Sequence, residues 1–418
     1  MRRRNSRLLS RFDWIEADGR LIIATRALRT FAQSSVAVVI AIHLRLQGFT
    51  LVEIGLFLTL GSAGAAASAI VVGTIGDTVG RRHTLIVLGL LMTLTGIALV
   101  VSDNVLVLGM AAFVGSFSAL AGSGGGIGTL EQAILAGSAA PEKRTDLFAV
   151  SSIAGTAGAS LGALASGLPA AFQRYVGDAD VPSFRMLFLG YAICGLLLAV
   201  LYGRLAARIE LSQRDVRWTN PLRLASRRRI FTLAGLFAAD SFGTGLAVES
   251  LASYWFFTRF GLQPGELGVL FFASNVLTAV SLWVAARLAR RIGLLNTMVF
   301  THIPSSLFLV AMVFAPWAWL AIVFWLLRAF FGQMDVPTSQ SYTMAVVGST
   351  ERTAMASATM VGRSAGVAAG PTVATALWTT TSASMPFVFG ALIKITYDLS
   401  LWYLFRRIKP PEESSAQR

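Results

Sequence analysis

Cys194 is the only cysteine in the chain, so no internal disulfide can form. It stands inside an apolar run, where a thiol serves as a small buried hydrophobe. Histidine is nearly as scarce. His43, His83 and His302 are scattered, and no His/Cys/Asp cluster has metal-ligand spacing. No Gly-x-x-x-x-Gly-Lys-Ser/Thr phosphate loop occurs, so no ATPase of its own is visible. No metal and no cofactor are therefore expected. Charge is the largest deficit: 13% of residues are charged, against about 25% in a soluble domain.

What fills the space is apolar. Hydrophobic residues make up 55% of the 418, the balance of a polytopic membrane protein whose main partner is the lipid bilayer. Runs long enough to span lie at roughly 20–45, 51–75, 84–102, 105–136, 147–171 and 185–203. They resume at roughly 230–257, 266–288, 293–316, 318–346, 353–377 and 385–405. The fold class expected is all-α, with two six-helix bundles: 1–204, then a basic linker at 205–229, then 230–418. The first run is long and lacks a cleavage site, so it reads as a retained helix.

The net charge of +14 is not spread as a nucleic-acid face would be. Arg2, Arg3, Arg4, Arg7 and Arg11 precede the first run, Arg204 to Arg229 fill the gap, and Arg406, Arg407 and Lys409 follow the last run. Alternate junctions are basic as well, at Arg81-Arg82, Lys143-Arg144, Arg287–Arg291 and Arg352. This asymmetry places both termini and the linker in the cytoplasm. A nucleic-acid partner is not expected.

The halves repeat one another. Gly48-Phe-Thr-Leu-Val-Glu53 aligns with Gly261-Leu-Gln-Pro-Gly-Glu266, and the same offset carries Gly80 onto Gly293. Gly158 and Gly162 likewise align with Gly366 and Gly370. Small-x-x-x-small faces of this kind let helices approach closely. Gly122-Ser-Gly-Gly-Gly126 in the fourth run weakens a helix and marks a break or a close approach to substrate.

Between the second and third runs stands Gly73-Thr-Ile-Gly-Asp77-Thr-Val-Gly80-Arg81-Arg82, with a degraded copy, Arg287-Leu-Ala-Arg-Arg-Ile-Gly293, at the matching junction of the second half. It resembles the signature loop of the major facilitator superfamily, Gly-x-x-x-Asp-Arg/Lys-x-Gly-Arg-Arg/Lys. Gly73, Asp77, Gly80, Arg81 and Arg82 match, and Thr78 replaces a basic residue. The resemblance implies a twelve-helix, monomeric secondary transporter that works by alternating access, with Asp77 as a cytoplasmic latch. A target for that latch is the start of the eleventh run, near Arg352. The fifth run resembles the glycine motif of proton-coupled exporters but lacks its proline, and a Gly370-Pro371 pair appears in the eleventh run instead.

Ionisable residues inside apolar runs are the candidates for proton coupling or substrate binding, because each is costly in lipid unless it faces protein or water. They are Glu131, Asp240, Glu249, Arg328, Asp335 and Arg363. Asp240 and Arg363 each stand about ten residues into outward-running helices, about 15 Å deep, and Asp335 lies mid-way along the tenth run. Two acids and one base at one level leave a carboxylate able to titrate. Lys394 and Asp398, one helical turn apart, are expected to pair with each other. Arg26 and Arg29 are expected to snorkel at a helix end. Gln33, Tyr254, Asn275, Gln333, Gln340 and Tyr342 are candidates for the cavity lining.

The function expected is secondary transport of a small molecule coupled to protons or another ion, in an inner (plasma) membrane of bacterial type. Export of a small amphipathic or anionic compound is favoured, with uptake of a nutrient or metabolite as the alternative. A membrane sensor or scaffold would not need buried charges. An intramembrane enzyme would need a His/Asp or Ser/Lys constellation at one depth, and none is evident.

Overall fold

The computed structural model describes residues 14–117, 125–140, 143–169, 180–206, 209, 226–345 and 351–406. Within them the chain forms α-helices and no strand. In the first half these are α1 (Ala17–Ala37), α2 (Ile40–Leu46), α3 (Leu51–Val79), α4 (Arg81–Val101), α5 (Val105–Val114), α6 (Gly125–Gly137), α7 (Arg144–Ala165) and α8 (Asp180–Tyr202). The second half has α9 (Arg227–Leu246), α10 (Glu249–Phe260), α11 (Pro264–Ile292), α12 (Leu294–Phe314), α13 (Ala318–Phe331), α14 (Asp335–Ala345), α15 (Arg352–Thr380) and α16 (Met385–Phe405).

Among the described residues, nine helical spans are long and apolar enough to cross a membrane. The other three expected runs fall short for local reasons. The fourth and tenth are interrupted, leaving α5 and α13 as short apolar pieces. The eleventh is diluted by Gly, Ala, Ser and Thr along α15.

Local chemistry explains the sequence repeat. Both α3 and α11 open with a capping box: the Thr50 and Gln263 backbone N–H groups each donate to a carboxylate oxygen three residues on, Glu53 and Glu266, at 2.8 Å. Gly48 and Gly261 precede these boxes with φ of 91° and 71°. Gly80 and Gly293 end the same two helices with φ of 102° and 88°. An L side chain is strained at such angles, which is why glycine stands at all four places.

Packing repeats as well. A Cβ on Gly158 or Gly162 of α7 would strike the carbonyl oxygen of Ala27 or Phe31 in α1. A Cβ on Gly366 of α15 would strike the Ala238 carbonyl of α9. The helix pairs α1–α7 and α9–α15 thus cross by the same device, each within its own six-helix set.

Four helices are broken in corresponding places. α1 gives way to α2 at Val38–Val39, and α9 to α10 at Ala247–Val248. α5 ends before Gly115-Ser116-Phe117, which are not helical, and α13 and α14 are separated at Gly332-Gln333-Met334. Of the Gly122–Gly126 run, Gly125 and Gly126 open α6, with φ +48° at Gly125, while 118–124 lie outside the described residues.

The two sets meet on the face away from the basic loops. There Ser253 Oγ of α10 donates to the Val38 carbonyl at 2.5 Å, and Thr372 Oγ1 of α15 donates to Thr59 Oγ1 of α3 at 2.8 Å. Gly268 of α11 lies against Ala163 of α7 and Ser166 just past its end. Large apolar side chains such as Ile70, Leu94, Leu106, Leu164, Val280 and Leu399 stand exposed on the outer surface, as a lipid-facing perimeter requires.

Candidate functional site

A cavity of about 360 Å³ lies between the two sets. α1 and α7 line it from one side, and α9 to α13 with α16 from the other. Its size falls in the range of small-molecule sites, of about 300–1,000 Å³.

Behind its second-half wall is a buried charge cluster. Lys394 Nζ of α16 donates to Asp240 Oδ1 of α9 at 2.8 Å. It also sits 3.2 Å from Nε2 of His302 on α12. The other ring nitrogen of His302, Nδ1, is 3.0 Å from both carboxylate oxygens of Asp398. Arg363 Nη1 of α15 stands 3.9 Å from Asp240 Oδ2, and its guanidinium lies 4.0 Å over the Phe237 ring. Asp335, buried at the first residue of α14, interacts electrostatically with His302, Asp240, Arg363 and Lys394. Of this cluster, His302 and Lys394 line the cavity.

The expected grouping of Asp240, Asp335 and Arg363 is thus present, with two additions. His302 was not singled out by sequence. Its signal was slight: one polar ring within the apolar run 294–314. Lys394 and Asp398 do not pair with each other in the way their spacing suggests. The His302 ring lies between them, and Lys394 turns to Asp240.

The first half holds a smaller network. Arg29 Nη2 donates to Glu131 Oε2 at 2.7 Å, with side chains 2% and 1% exposed. Tyr202 OH donates to the other Glu131 oxygen at 2.9 Å, and Arg29 Nη1 to Gln33 Oε1 at 3.2 Å. Arg29 therefore does not snorkel: α6 approaches closely enough to supply a carboxylate. Glu131 and Gln33 serve this network and lie off the main cavity.

Of the remaining candidates, Glu249, Asn275, Arg328 and Gln333 line the cavity. Arg328 lies 4.5 Å over the Trp325 ring. Tyr254 is turned away and packs on Trp378 with ring centroids 5.5 Å apart. Tyr342 is fully buried, its hydroxyl donating to the Phe405 carbonyl at 3.4 Å. The side chains of Gln340, Asp77 and Arg352 lie outside the described residues, and with them the latch contact. Of the signature loop, Gly73 is exposed near the end of α3, Gly80 joins α3 to α4, Arg81 is buried, and Arg82 donates to the Gly203 carbonyl at the end of α8. Among the described residues no group of three His, Cys, Asp or Glu side chains is arranged to hold a metal.

Comparison with known proteins agrees with this architecture. An uncharacterized membrane protein of Saccharomyces cerevisiae, YJR124C, is 23% identical over 94% of this chain and 95% of its own length. The crystal structure of the nucleoside transporter NupG superposes with a TM-score of 0.72 at 13% identity, covering 93% of this chain and 99% of that one. A bacterial homologue of the human lysosomal transporter Spinster, in an inward-facing and occupied conformation, gives 0.68 at 14% identity, covering 93% and 96%. At such identities the structures share the fold alone. The profile of the Major Facilitator Superfamily matches residues 22–332 and, separately, 230–418, the second match beginning where the second helical set begins. This integral membrane protein, with its two six-helix sets around a central cavity, belongs to the Major Facilitator Superfamily.

Proposed function

We propose that the chain is a proton-coupled secondary transporter of a small anion-bearing compound, working by alternating access. The observation that carries this is the double position of Lys394. It lines the cavity and at the same time neutralises Asp240. An anionic cargo group that draws the ammonium toward itself leaves Asp240 beside a cluster with too few cations. With His302 neutral, the fixed charges are two cations (Lys394, Arg363) and three carboxylates (Asp240, Asp335, Asp398). One proton, on His302 or on a carboxylate, brings that set to neutrality, and once Lys394 turns to the cargo a second proton restores the balance, the cheapest state for buried charges.

Cargo anion and proton then favour each other's binding, which is symport. An inward proton gradient turns symport into uptake, so this geometry supports uptake over the export favoured by sequence alone. By the positive-inside rule the basic loops and both chain ends lie in the cytoplasm. The described contacts between the halves are on the opposite face, so the cavity is closed toward the outside. The chain acts as a monomer in this reading.

The test is reconstitution into liposomes that enclose a pH-sensitive dye, with no gradient imposed. Adding cargo from a panel of organic anions outside should acidify the lumen, and Asp240→Asn should abolish the signal. Alkalinisation on adding cargo would mean antiport and restore export. Movement of cargo with no proton signal would remove the coupling role from the cluster.

A further inference from the structure

Three charged side chains at the cavity are not absorbed by the cluster. Arg328 rests on Trp325, and among the described residues no carboxylate lies within ion-pair distance of it. Arg26 reaches the cavity from the other half. Its Nη1 donates to Ser151 Oγ at 3.2 Å, but its Nε is buried with no partner. The guanidinium has this course because position 155 is glycine; a Cβ there would approach Arg26 Nε to 2.9 Å. Glu249, at the start of α10 just after the break in the seventh run, lines the same cavity, and its Oε1 is buried with no partner.

Each of these groups calls for a counterpart, since buried charge and buried polar atoms are costly when unmatched. They are not matched to one another. A simple anion satisfies Arg26 and Arg328 but leaves Glu249 facing cargo of its own sign. A simple cation leaves both guanidinium groups unmet. Trp325 and Phe271 add apolar surface to the same lining.

We infer that the cargo is an organic zwitterion, its oxyanion (carboxylate or phosphate) held by Arg26 and Arg328 in the cavity that Lys394 also lines, and its ammonium held by Glu249. This deepens the transport reading and rests on the cavity being the cargo site. Planar guanidinium forks fit an oxyanion, and a charge-assisted bond from ammonium to a carboxylate oxygen is among the stronger hydrogen bonds.

Thermal stabilisation of the purified full chain in detergent tests it without any proton gradient. The probes are ω-amino carboxylates of graded length up to and beyond 6-aminohexanoate, the matching aminoalkyl phosphates, and the one-pole controls hexanoate and hexylamine. At least one zwitterion should stabilise the protein more than either control, and its length reports the spacing of the poles. The phosphate series set against the carboxylate series identifies the oxyanion. Glu249→Gln should weaken the best zwitterion by about tenfold or more while leaving hexanoate binding no weaker. Arg328→Gln should weaken it by a similar factor and leave hexylamine binding no weaker.

Hexanoate equalling every zwitterion, or Glu249→Gln leaving zwitterion affinity intact, would overturn the proposal in favour of a plain anion site. Stabilisation by no member of the series would overturn it too. The transport reading fails separately: a zwitterion that binds here but moves no protons in liposomes removes the coupling and leaves the two-pole site standing.

Discussion

Arg29 and Asp240 occupy the same place in the two halves. Gly158 packs on the Ala27 carbonyl and Gly366 on the Ala238 carbonyl, and two residues further along each helix stand Arg29 and Asp240. The environments could hardly differ more. Arg29 has one carboxylate at 2.7 Å, a tyrosine and a glutamine complete the set, and neither Arg29 nor Glu131 reaches the main cavity. Asp240 has Lys394, His302 and Arg363 around it, and two of these three touch the cavity wall or border it directly. A balanced pair sealed from cargo has nothing to respond to and holds helices together. An unbalanced set with members in the cavity wall can answer to what binds there. One scaffold, repeated, thus carries a balanced, sealed pair in one half and an unbalanced charge set at the cavity wall in the other.

The contrast is broken most forcefully by Arg29→Ala. It strands Glu131 and should cost about 3–5 kcal/mol, read as a large loss of melting temperature in detergent. Arg29→Ala together with Glu131→Ala should recover much of that loss, and failure to recover would mean that Arg29 acts by packing and not as a lock. Next in size are the helix crossings. Gly158→Val and Gly366→Val each drive a side chain into a carbonyl and should cost about 1–3 kcal/mol, by equal amounts if the two crossings are equivalent.

His302→Gln should leave stability closer to wild type. The glutamine amide can still donate to Asp398, but it takes no proton, so the pH dependence of transport between about pH 5 and 8 should flatten. An unchanged profile would shift proton uptake to the carboxylates. The smallest expected effect is that of Arg363→Ala. Its side chain is 35% exposed and 3.9 Å from Asp240, so screening keeps the stability loss to about 1 kcal/mol or less. A loss comparable to that of Arg29→Ala would make Arg363 a second lock and erase the contrast.

The scaffold was largely legible in the sequence because it depends on backbone rules. Gly48 with Gly261 and Gly80 with Gly293 mark positions that only glycine fills without strain, and Glu53 with Glu266 mark helix starts. The level of Asp240 and Arg363 was legible too, since helical rise converts residue number into depth. What remained hidden was azimuth. Tyr254 and Tyr342 are at plausible depths but face neighbours instead of the cavity. Lys394 and Asp398 share a helix face and looked self-sufficient, until an aromatic ring from α12 filled the space between them. Arg29 looked free to reach water because its nearest acid, Glu131, is far along the chain. Pairing between helices is a property of packing, which one-dimensional spacing does not carry.

The break in the first run has a further consequence. Val38 lies between two helical segments, and its carbonyl accepts from Ser253 of the opposite half. The acceptor is backbone, so no substitution at position 38 that preserves the bend removes it. The whole adjustable part of this clasp is one hydroxyl. Ser253→Ala deletes a bond worth about 1 kcal/mol, which under the proposed alternating access redistributes open and closed states by about fivefold. A change of that size is too small to unfold the protein, and in the alternating-access reading it alters how often the chain faces outward, with the Thr372–Thr59 bond left as a second clasp between the halves.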